Sequence, residues 1–273
     1  MMEKIEEFLI EDIGIEDVTT NAIVPDDHRS RAKIIAKAQG VIAGQAFAKE
    51  VFALLDKDIA YSEHAKDGKA VLPGEVISEI SGKTRAILTG ERVALNILQR
   101  LSGIATLTRG FVDAVAGTKT RILDTRKTTP GMRKMEKYAV IIGGGFNHRV
   151  NLSEMALVKE NHIAVAGSVR KAVETVRASS DVPIEVEVRN MSELQDALAA
   201  GVDRIMLDNW DTSSMRTAVT FVGGQVPLEA SGNMTIERVK EVAEAGVDLI
   251  SVGALTHSAK ALDMSLLHEG VDL

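Results

Sequence analysis

The second half of the chain alternates short apolar runs with amphipathic stretches, and this alternation constrains the fold more than any other feature. The apolar runs are Thr120–Leu123, Met155–Val158, Ile184–Val188, Arg204–Leu207, Val226–Leu228 and Leu249–Val252. The intervening stretches with helical periodicity include Ser168–Ala178, Met191–Ala200 and Thr235–Ala245. Repeated alternation of this kind predicts a parallel sheet covered by helices.

The polar residues that follow the later runs recur at a nearly constant interval. The spacing is 21, 23 and 22 residues along the series Glu187, Asp208, Ser231 and Gly253. The tetrapeptide Ala-Gly-Val-Asp also occurs twice, at 200–203 and at 245–248, and each copy precedes an apolar run. Repeated strand–helix units of this size favour a closed barrel over an open sheet, but the period alone does not prove closure.

The first hundred residues have a mixed pattern. Met2–Ile10 and Gln45–Leu55 have the apolar spacing of helices, whereas Arg31–Ala43 alternates like a strand. Val71–Leu88 predicts short strands with turns at Pro73-Gly74 and Ser81-Gly82. This region is therefore expected to form a separate α/β unit.

A long helical pattern follows this region. Thr89 is a candidate N-cap with Glu91 in the first turn, and the apolar stripe continues toward Val115. A helix of this length between two regions of different pattern is the best candidate for a domain junction.

Composition excludes several classes of function. The 273 residues contain no cysteine, which excludes disulfide frameworks, thiolate zinc sites, iron–sulfur clusters and cysteine nucleophiles. An aromatic content of 3% and a net charge of −7 argue against base stacking and against a broad nucleic-acid footprint. No apolar run approaches the ~20 residues of a membrane span, and Met1–Asp12 is unlike a signal peptide. We expect a cytoplasmic protein with no membrane or nucleic-acid partner.

Charged side chains follow the predicted strands at the point where each strand ends. A parallel barrel brings these ends to one rim, where such folds form their sites. The cationic residues and histidines expected at this rim are Arg126, Lys127, His148, Arg149, Lys159 and His162. This concentration of basic groups on an acidic chain predicts a small, highly charged anion as ligand.

The rim residues also have ordinary structural interpretations. A lone Arg126-Lys127 pair is usually solvated surface, and His148 is about equally suited to packing in the core. Glu187 and Asp208 would form salt bridges to the rim cations. Because the basic pair directly follows an apolar run and is one of several such groups, the binding interpretation is favoured.

Two turns near the last predicted strands suit phosphate. Ser231–Asn233 and Val252–Ala254 each follow an apolar run, and N–H groups at the start of a helix can point at an anion. A simple turn is the alternative. Glu187 and Asp208 supply the oxygen ligands that Mg²⁺ takes when it is bound mainly through substrate phosphates. The residues alone thus predict a phosphorylated polyanion and Mg²⁺.

Several longer stretches closely resemble the quinolinate phosphoribosyltransferase family. They cover most of the chain from residue 88 onward, in order. The stretches are Gly90–Thr106, Asp124–Arg133, Gly143–Arg149, Leu157–Ile163, Glu185–Val188, Leu207–Asn209, Glu229–Asn233 and Gly246–Ser258, with Glu11–Thr20 resembling the opening segment. Each motif alone is modest, but the combination is very specific.

The resemblance implies an α/β fold with an N-terminal α/β sandwich and a C-terminal incomplete parallel α/β barrel. The expected domains are residues 1–105 and 106–258, with a C-terminal helix at about 259–273 packing back on the first domain. It also implies a reaction of de novo NAD biosynthesis, in which quinolinate and phosphoribosyl pyrophosphate give nicotinate mononucleotide, CO₂ and pyrophosphate.

The resemblance also implies roles for individual residues. Quinolinate would be bound by Arg92, Thr125, Arg126, Lys127, His148, Arg149 and Lys159. Phosphoribosyl pyrophosphate would be bound by Lys127, Lys159, Asn161, His162, Glu187, Asp208, Ser231, Gly232, Asn233, Val252, Gly253 and Ala254. The catalytic groups would be Lys127, Lys159, Glu187 and Asp208, with Mg²⁺ held at Glu187 and Asp208. Arg92 would complete the site of a neighbouring subunit, which predicts a homodimer or a larger assembly.

Three positions depart from the family pattern, and three other functions stay open. Glu16, Asn151 and Glu154 stand where a Gly, a Gly and an Asp are expected, which puts local loop shape in doubt. One alternative is the molybdenum-operon paralogue of the same family. The second is a sugar-phosphate lyase or isomerase barrel with Lys159 as a Schiff-base lysine, and the third is a non-catalytic sensor of a phosphorylated metabolite.

Overall fold

The structure is a computed structural model that describes residues 2–269. The described chain forms two compact units. The first comprises residues 2–109, 129–144 and 259–269, and the second comprises 110–128 and 145–258. The segment 129–144, which the sequence analysis assigned to the barrel, thus groups with the first unit.

The helices and strands are numbered in chain order. The helices are α1 (Met2–Ile13), α2 (Val18–Ile23), α3 (Gln45–Leu55), α4 (Thr84–Ala114), α5 (Arg133–Ile142), α6 (Glu160–Ala166), α7 (Val169–Ser179), α8 (Met191–Ala199), α9 (Thr212–Val222), α10 (Ile236–Glu244) and α11 (Ala254–His257). The strands are β1 (Arg29–Ala36), β2 (Gly40–Val41), β3 (Ala60–Glu63), β4 (Ala70–Val71), β5 (Val76–Lys83), β6 (Arg121–Leu123), β7 (Ala156–Val158), β8 (Ile184–Val188), β9 (Arg204–Asp208), β10 (Leu228–Ser231), β11 (Leu249–Ser251) and β12 (Met264–His268). Among residues 2–269, no helix combines the length and the apolar character that a bilayer crossing requires.

The first unit contains a four-stranded antiparallel sheet in the order β12-β1-β5-β3. Helices α1 and α3 pack against each other in this unit. Alternate residues of β1 are buried, including Ala32 and Ile34, because successive side chains of a strand point to opposite faces. The expected α/β sandwich is confirmed as a mixed α/β unit with an antiparallel sheet.

The expected turn at Ser81-Gly82 is wrong. Both residues lie inside β5, where they pair with Arg31 and Ser30 of β1. A Cβ atom on Gly82 would come within 2.7 Å of the Cγ1 atom of Ile59, so this glycine permits a close approach and does not mark a turn.

The start of the long helix also differs from the prediction. Helix α4 begins at Thr84, directly after β5, and Thr89 therefore lies inside the helix. The Thr89 hydroxyl donates to Oδ2 of Asp17 at 3.0 Å, so its polar side chain has a tertiary partner in place of a capping role.

The C-terminal segment is a strand and not the expected helix. Met264–His268 forms β12, which pairs antiparallel with β1 from Ala36↔Met264 to Ala32↔His268. The buried residues Met264 and Leu266 stand two apart, which is the period of a strand. The last part of the predicted helix, 270–273, lies outside the described residues.

The second unit is built on a six-stranded parallel sheet in the order β6-β11-β10-β9-β8-β7. From β7 to β11, each strand pairs with the next strand in the chain. Strand β6, the first of the six, pairs with β11, the last, as in a barrel. Within the described residues, β6 and β7 are the two edges, and β6 is extended only by a bridge between Leu123 and Phe146. This arrangement confirms the expected incomplete barrel.

The repeated Ala-Gly-Val-Asp segments have the same structural role. Oδ2 of Asp203 accepts the backbone N–H of Ile184 at 2.8 Å, and Oδ2 of Asp248 accepts that of Leu228 at 2.9 Å. The N–H groups of both aspartates donate back to the carbonyl oxygens of the same two residues. Each aspartate therefore ties the first residue of an adjacent strand and helps to fix the strand register.

Candidate active site

The carboxyl ends of the parallel strands surround a cavity of about 400 Å³ in the second unit. Strand ends on this side of parallel α/β folds are the usual position of ligand sites. The lining residues are Thr125, Arg126, Lys127, His148, Arg149, Leu157, Lys159, Glu187, Met206, Asp208, Ser231 and Ser251. The cavity thus brings together nine residues expected at the site and three that were not predicted, Leu157, Met206 and Ser251.

Strand alternation explains which side chains reach this cavity. Side chains two residues apart lie on the same face of a strand, so Met206 and Asp208 both face the cavity from the end of β9. Leu157 and Lys159 have the same relationship at the end of β7. Each pair combines an apolar side chain with a charged one nearer the rim, and this spacing could have identified Leu157 and Met206 from the sequence.

The cationic side of the cavity is formed by Arg126 and Lys127, which follow β6, and by Arg149. The Thr125 hydroxyl accepts the backbone N–H of Lys127 at 3.1 Å, which shapes the turn after the strand. Burial and the nearby Arg126 guanidinium lower the pKa of Arg149 from its usual value. Nη1 of Arg149 donates to the Met155 carbonyl at 2.7 Å, so the guanidinium is held in place.

The acidic side of the cavity contains Glu187 and Asp208. Oε2 of Glu187 lies 3.2 Å from Nζ of Lys159, which is about half exposed. Oδ2 of Asp208 accepts a hydrogen bond from Nδ2 of Asn209 at 2.8 Å. Within residues 2–269, Oδ1 of Asp208 has no hydrogen-bond partner, so it could accept one from a ligand or coordinate a cation. Carboxylate oxygens at the edge of such a cavity fit the donor preference of Mg²⁺.

A buried carboxyl pair lies next to the cavity and was missed as a functional group by the sequence analysis. Nε2 of His148 lies 3.0 Å from Oε2 of Glu185 and 3.6 Å from Oε2 of Glu229. Nη1 of Arg204 lies 3.1 Å from Oε2 of Glu229. Because Glu185 stands two residues before Glu187, strand alternation could have placed it on the same inner face.

Hydrogen bonding indicates which ring nitrogen of His148 carries the proton. Its Nδ1 accepts the backbone N–H of Arg149 at 2.8 Å, so the ring proton is carried on Nε2, which donates to Glu185. Although His148, Glu185 and Glu229 each present an atom within 4.8 Å of the others, the Nε2 proton and the Arg204 guanidinium disfavour a metal ion there.

Burial raises the pKa of both carboxyl groups in this pair. The pKa of Glu229 rises to about 7 because the residue is buried and lies close to Glu185. The pKa of Glu185 also rises to about 7 because of burial, opposed by Arg204. The pair therefore retains a proton more strongly than exposed glutamates do.

Asp124 positions the loop that carries His148. Its side chain is fully buried, and Oδ1 accepts the backbone N–H of His148 at 2.8 Å. The Asp124 N–H donates to the carbonyl of Phe146 at 3.0 Å. These bonds hold the His148-Arg149 pair beside the end of β6.

The predicted phosphate turns lie at the ends of β10 and β11. Ser231 lines the cavity and is the last residue of strand β10, whereas a turn was predicted at this position. Strand β10 begins at Leu228, two residues after the start of the predicted apolar run at Val226. Beyond Ser231, the cavity lining does not include Gly232, Asn233 or Val252–Ala254. Gly253 is nevertheless close to the cavity lining, since a Cβ atom at Gly253 would lie 3.1 Å from Cδ of the lining residue Lys127.

Three other predicted site residues lie elsewhere. Asn161 and His162 belong to helix α6, and neither lines the described cavity. Nδ1 of His162 accepts the backbone N–H of Lys159 at 3.1 Å. Arg92 lies in the first unit, on α4, with an exposed side chain 4.0 Å from Glu91.

Comparisons with known proteins identify the family. Residues 17–102 match the N-terminal domain and residues 104–267 match the C-terminal domain of quinolinate phosphoribosyl transferase. A Bacillus subtilis (strain 168) protein named "Probable nicotinate-nucleotide pyrophosphorylase (carboxylating)" is 45% identical, over 95% of this chain and 90% of that protein. Quinolinate phosphoribosyltransferase (decarboxylating) 1b of Nicotiana tabacum is 42% identical, over 94% of this chain and 79% of that protein.

A solved structure gives the same result. The crystal structure of NadC from Streptococcus pyogenes superposes with a TM-score of 0.93 at 42% identity, covering 99% of this chain and 96% of that chain. The chain therefore belongs to the quinolinate phosphoribosyltransferase family.

Proposed function

We propose that this protein transfers the phosphoribosyl group of phosphoribosyl pyrophosphate to quinolinate and removes one carboxylate, giving nicotinate mononucleotide, CO₂ and pyrophosphate. The observation that supports this most strongly is the grouping of two arginines, two lysines and two carboxylates around one cavity of about 400 Å³. The reaction needs a site for a dicarboxylate beside a site for a sugar pyrophosphate, and this set of charges suits both.

Quinolinate would be bound on the cationic side. Guanidinium groups bind carboxylates in a bidentate manner, and Arg126 and Arg149 both line the cavity. Thr125, Lys127, His148 and Lys159 lie on the same lining. Two carboxylates held in this way would fix the orientation of the pyridine ring and direct its nitrogen toward the ribose carbon C1.

Phosphoribosyl pyrophosphate would be bound on the acidic side and at the ends of β10 and β11. We assign its sugar and pyrophosphate to Lys127, Lys159, Glu187 and Asp208, and its 5′-phosphate to the turns at 231–233 and 252–254. Asn161 and His162 follow Lys159 and would approach the same ligand. Mg²⁺ held at Glu187 and Asp208 would supply charge neutralisation for the departing pyrophosphate.

The chemistry requires no protein nucleophile. As pyrophosphate leaves, positive charge develops on the ribose, and the carboxylates of Glu187 and Asp208 would stabilise it while Lys127 and Lys159 stabilise the leaving anion. The ring nitrogen becomes cationic after it bonds to C1. It then accepts the electron pair released when the carboxylate at ring position 2 leaves as CO₂, and that ring carbon takes up a proton. The proposed catalytic groups are therefore Lys127, Lys159, Glu187 and Asp208.

The alternative functions fit the site less well. A Schiff-base lysine is activated by desolvation or by a neighbouring cation, whereas Lys159 is half exposed and lies beside the Glu187 carboxylate. A sensor of a phosphorylated anion would not require two carboxylates in the same cavity as the cations. The molybdenum-operon paralogue differs in substrate, so a direct assay separates it from the quinolinate enzyme.

We also propose that the active form is a homodimer or a larger assembly and that it acts in the cytoplasm. The support for assembly is Arg92, a basic side chain that is 58% exposed in the first unit. An exposed arginine of this kind would complete the quinolinate site of a neighbouring subunit, and the expected dimer can be measured by sedimentation.

The proposed reaction is tested by incubating the protein with quinolinate, phosphoribosyl pyrophosphate and Mg²⁺ and identifying the products. We expect nicotinate mononucleotide and pyrophosphate in equal amounts. Nicotinate in place of quinolinate should give little product, because it lacks the second carboxylate. Equal turnover of nicotinate, or turnover of neither compound, would contradict the proposal.

A further inference from the structure

Asn209 directly follows Asp208 and has an unusual backbone conformation. Its φ angle is +57°, in the left-handed region that few residues other than glycine and asparagine adopt readily. Asn233, in the turn after β10, has a φ angle of +49°. Two left-handed asparagines thus occur on neighbouring strand ends beside the cavity.

The side chain of Asn209 connects these two strand ends. Its Nδ2 atom donates to Oδ2 of Asp208 at 2.8 Å, and its Oδ1 atom accepts a hydrogen bond from Nδ2 of Asn233 at 3.4 Å. Its backbone N–H donates to the carbonyl of Ser231 at 2.9 Å. One asparagine therefore contacts both the acidic residue and the turn proposed for phosphate.

The turn is shaped to receive this side chain. Gly232 has a φ angle of +98°, and a Cβ atom at this position would lie 2.1 Å from Oδ1 of Asn209. Any larger residue at 232 would displace the Asn209 amide. The glycine is needed for its conformation and for the space that it leaves.

Arg238 of α10 also connects the segment after β9 with the turn after β10. Its guanidinium donates to the carbonyl of Trp210 at 2.8 Å and to the carbonyls of Gly232 and Asn233 at 3.3 and 3.4 Å. The indole of Trp210 is buried and donates to the carbonyl of Val188, the last residue of β8. Consecutive strand ends are therefore linked by side chains outside the cavity lining.

We propose that Asn209 is a positioning residue for phosphoribosyl pyrophosphate: it holds the Asp208 carboxylate at a fixed place relative to the Gly232 turn. Because Oδ2 of Asp208 is bonded to the amide, Oδ1 is presented to the ligand or its cation. The inference rests on the proposed function for the identity of the ligand. The geometric relationship between Asp208 and the turn does not depend on it.

Two variants test this role. Asn209→Gly keeps the backbone conformation accessible but removes the amide. Asn209→Asp keeps the size and the left-handed tendency but places a carboxylate against Oδ2 of Asp208. Asn190→Gly is the matched control, because Asn190 caps α8 through a single bond to the N–H of Glu193 and lies outside the cavity lining.

Steady-state kinetics and titration calorimetry give the readouts. We expect both Asn209 variants to raise the KM for phosphoribosyl pyrophosphate about tenfold, since hydrogen bonds to charged groups contribute on that order. The KM for quinolinate and the thermal midpoint should stay close to wild type. Calorimetry with phosphoribosyl pyrophosphate and Mg²⁺ should show the same weakening, and Asn190→Gly should show none.

The inference is overturned if both Asn209 variants bind phosphoribosyl pyrophosphate as wild type does. It is also overturned if the KM values of both substrates rise equally together with a lower thermal midpoint, because that result indicates a general structural role. If wild type fails to turn over quinolinate, the proposed function fails, while the calorimetric comparison still decides the role of Asn209.

Discussion

The Nε2 atom of His148 lies 3.0 Å from Oε2 of Glu185, and both side chains are buried beside the cationic side of the cavity. A second carboxyl group, that of Glu229, is within 3.6 Å of the same nitrogen. Burial raises the pKa of both carboxyl groups to about 7. The two carboxyl groups thus form a layer next to the cavity that ionises less readily than exposed glutamates do.

This layer predicts how stability depends on pH. A raised pKa means that the folded state holds the proton more tightly than the unfolded state, whose glutamates titrate near 4.5. The stabilisation is complete below about pH 4.5 and is lost as the pH rises through about 7. The Glu229→Gln variant should therefore gain stability relative to wild type on going from pH 5 to pH 8.

Thermal midpoints measured across this pH range test the prediction. Glu174→Gln, an exposed substitution on α7, provides the control and should follow the wild-type curve. Parallel curves for wild type and Glu229→Gln would show that the buried pair does not titrate in this window.

Replacing one arginine of the cavity by lysine should affect one substrate selectively. Arg126→Lys keeps the positive charge but loses the planar pair of donors that matches a carboxylate. We expect the KM for quinolinate to rise about tenfold, with the KM for phosphoribosyl pyrophosphate nearly unchanged. Arg170→Lys, on the exposed side of α7, is the control. Equal increases in the KM values for both substrates would contradict the assignment of Arg126 to the dicarboxylate site.

The proposal that two subunits share a site can be tested by mixing two variants of low activity. Lys159→Ala removes a proposed catalytic cation and Arg92→Ala removes the residue proposed to reach the neighbouring subunit, so each should lower turnover at least a hundredfold. If Arg92 acts across the interface, mixed dimers contain one intact site, and random mixing should restore about a quarter of wild-type activity.

The restored activity should require exchange of subunits and should be absent when each variant is assayed alone. Near-normal turnover of Lys159→Ala would contradict its proposed electrostatic role. Lack of restoration after confirmed subunit exchange would place Arg92 in its own subunit's chemistry or outside the site.

A buried ion pair in the first unit should control stability without taking part in the reaction. Nε and Nη2 of Arg100 donate to Oε1 of Glu136 at 3.1 and 2.8 Å, and the Glu136 side chain is fully buried. Arg100→Ala leaves this carboxylate without its cation and should lower the free energy of unfolding by about 3 kcal/mol.

The exposed Arg189 supplies the comparison for Arg100. It pairs with Glu160 and Glu193 at the surface, so Arg189→Ala should change the free energy of unfolding by less than about 1 kcal/mol. Similar losses in the two variants, measured by denaturant titration, would contradict the assignment of the Arg100–Glu136 pair as a buried determinant of stability.

The parallel sheet could be predicted from the sequence because its signals are local. Apolar runs in the sequence mark strands β6 to β11. The two Ala-Gly-Val-Asp segments each precede a strand, and the aspartate of each segment accepts a hydrogen bond from the backbone of the adjacent strand. The cavity lining follows from the same pattern, since strand ends gather at one rim. Recognition of the family motifs then supplied roles that spacing alone does not give.

The parts that were predicted incorrectly depend on long-range contacts. The strand at Met264–His268 exists because it pairs with β1, more than 200 residues earlier in the chain. Gly82 was interpreted as a turn residue because nothing local shows that Ile59 packs against it. Glu185 and Asn209 were missed because their partners, Glu229 and Gly232, lie on other strands or the turns that follow them.

The fate of the two carboxyl carbons of quinolinate shows whether phosphoribosyl transfer is coupled to loss of one carboxylate. Quinolinate labelled in the carboxylate at ring position 2 should release one labelled CO₂ for each pyrophosphate formed, only when phosphoribosyl pyrophosphate and Mg²⁺ are present. Label in the carboxylate at position 3 should stay in nicotinate mononucleotide. Release of the position-3 label, or pyrophosphate formed without release of CO₂, would contradict the proposed reaction.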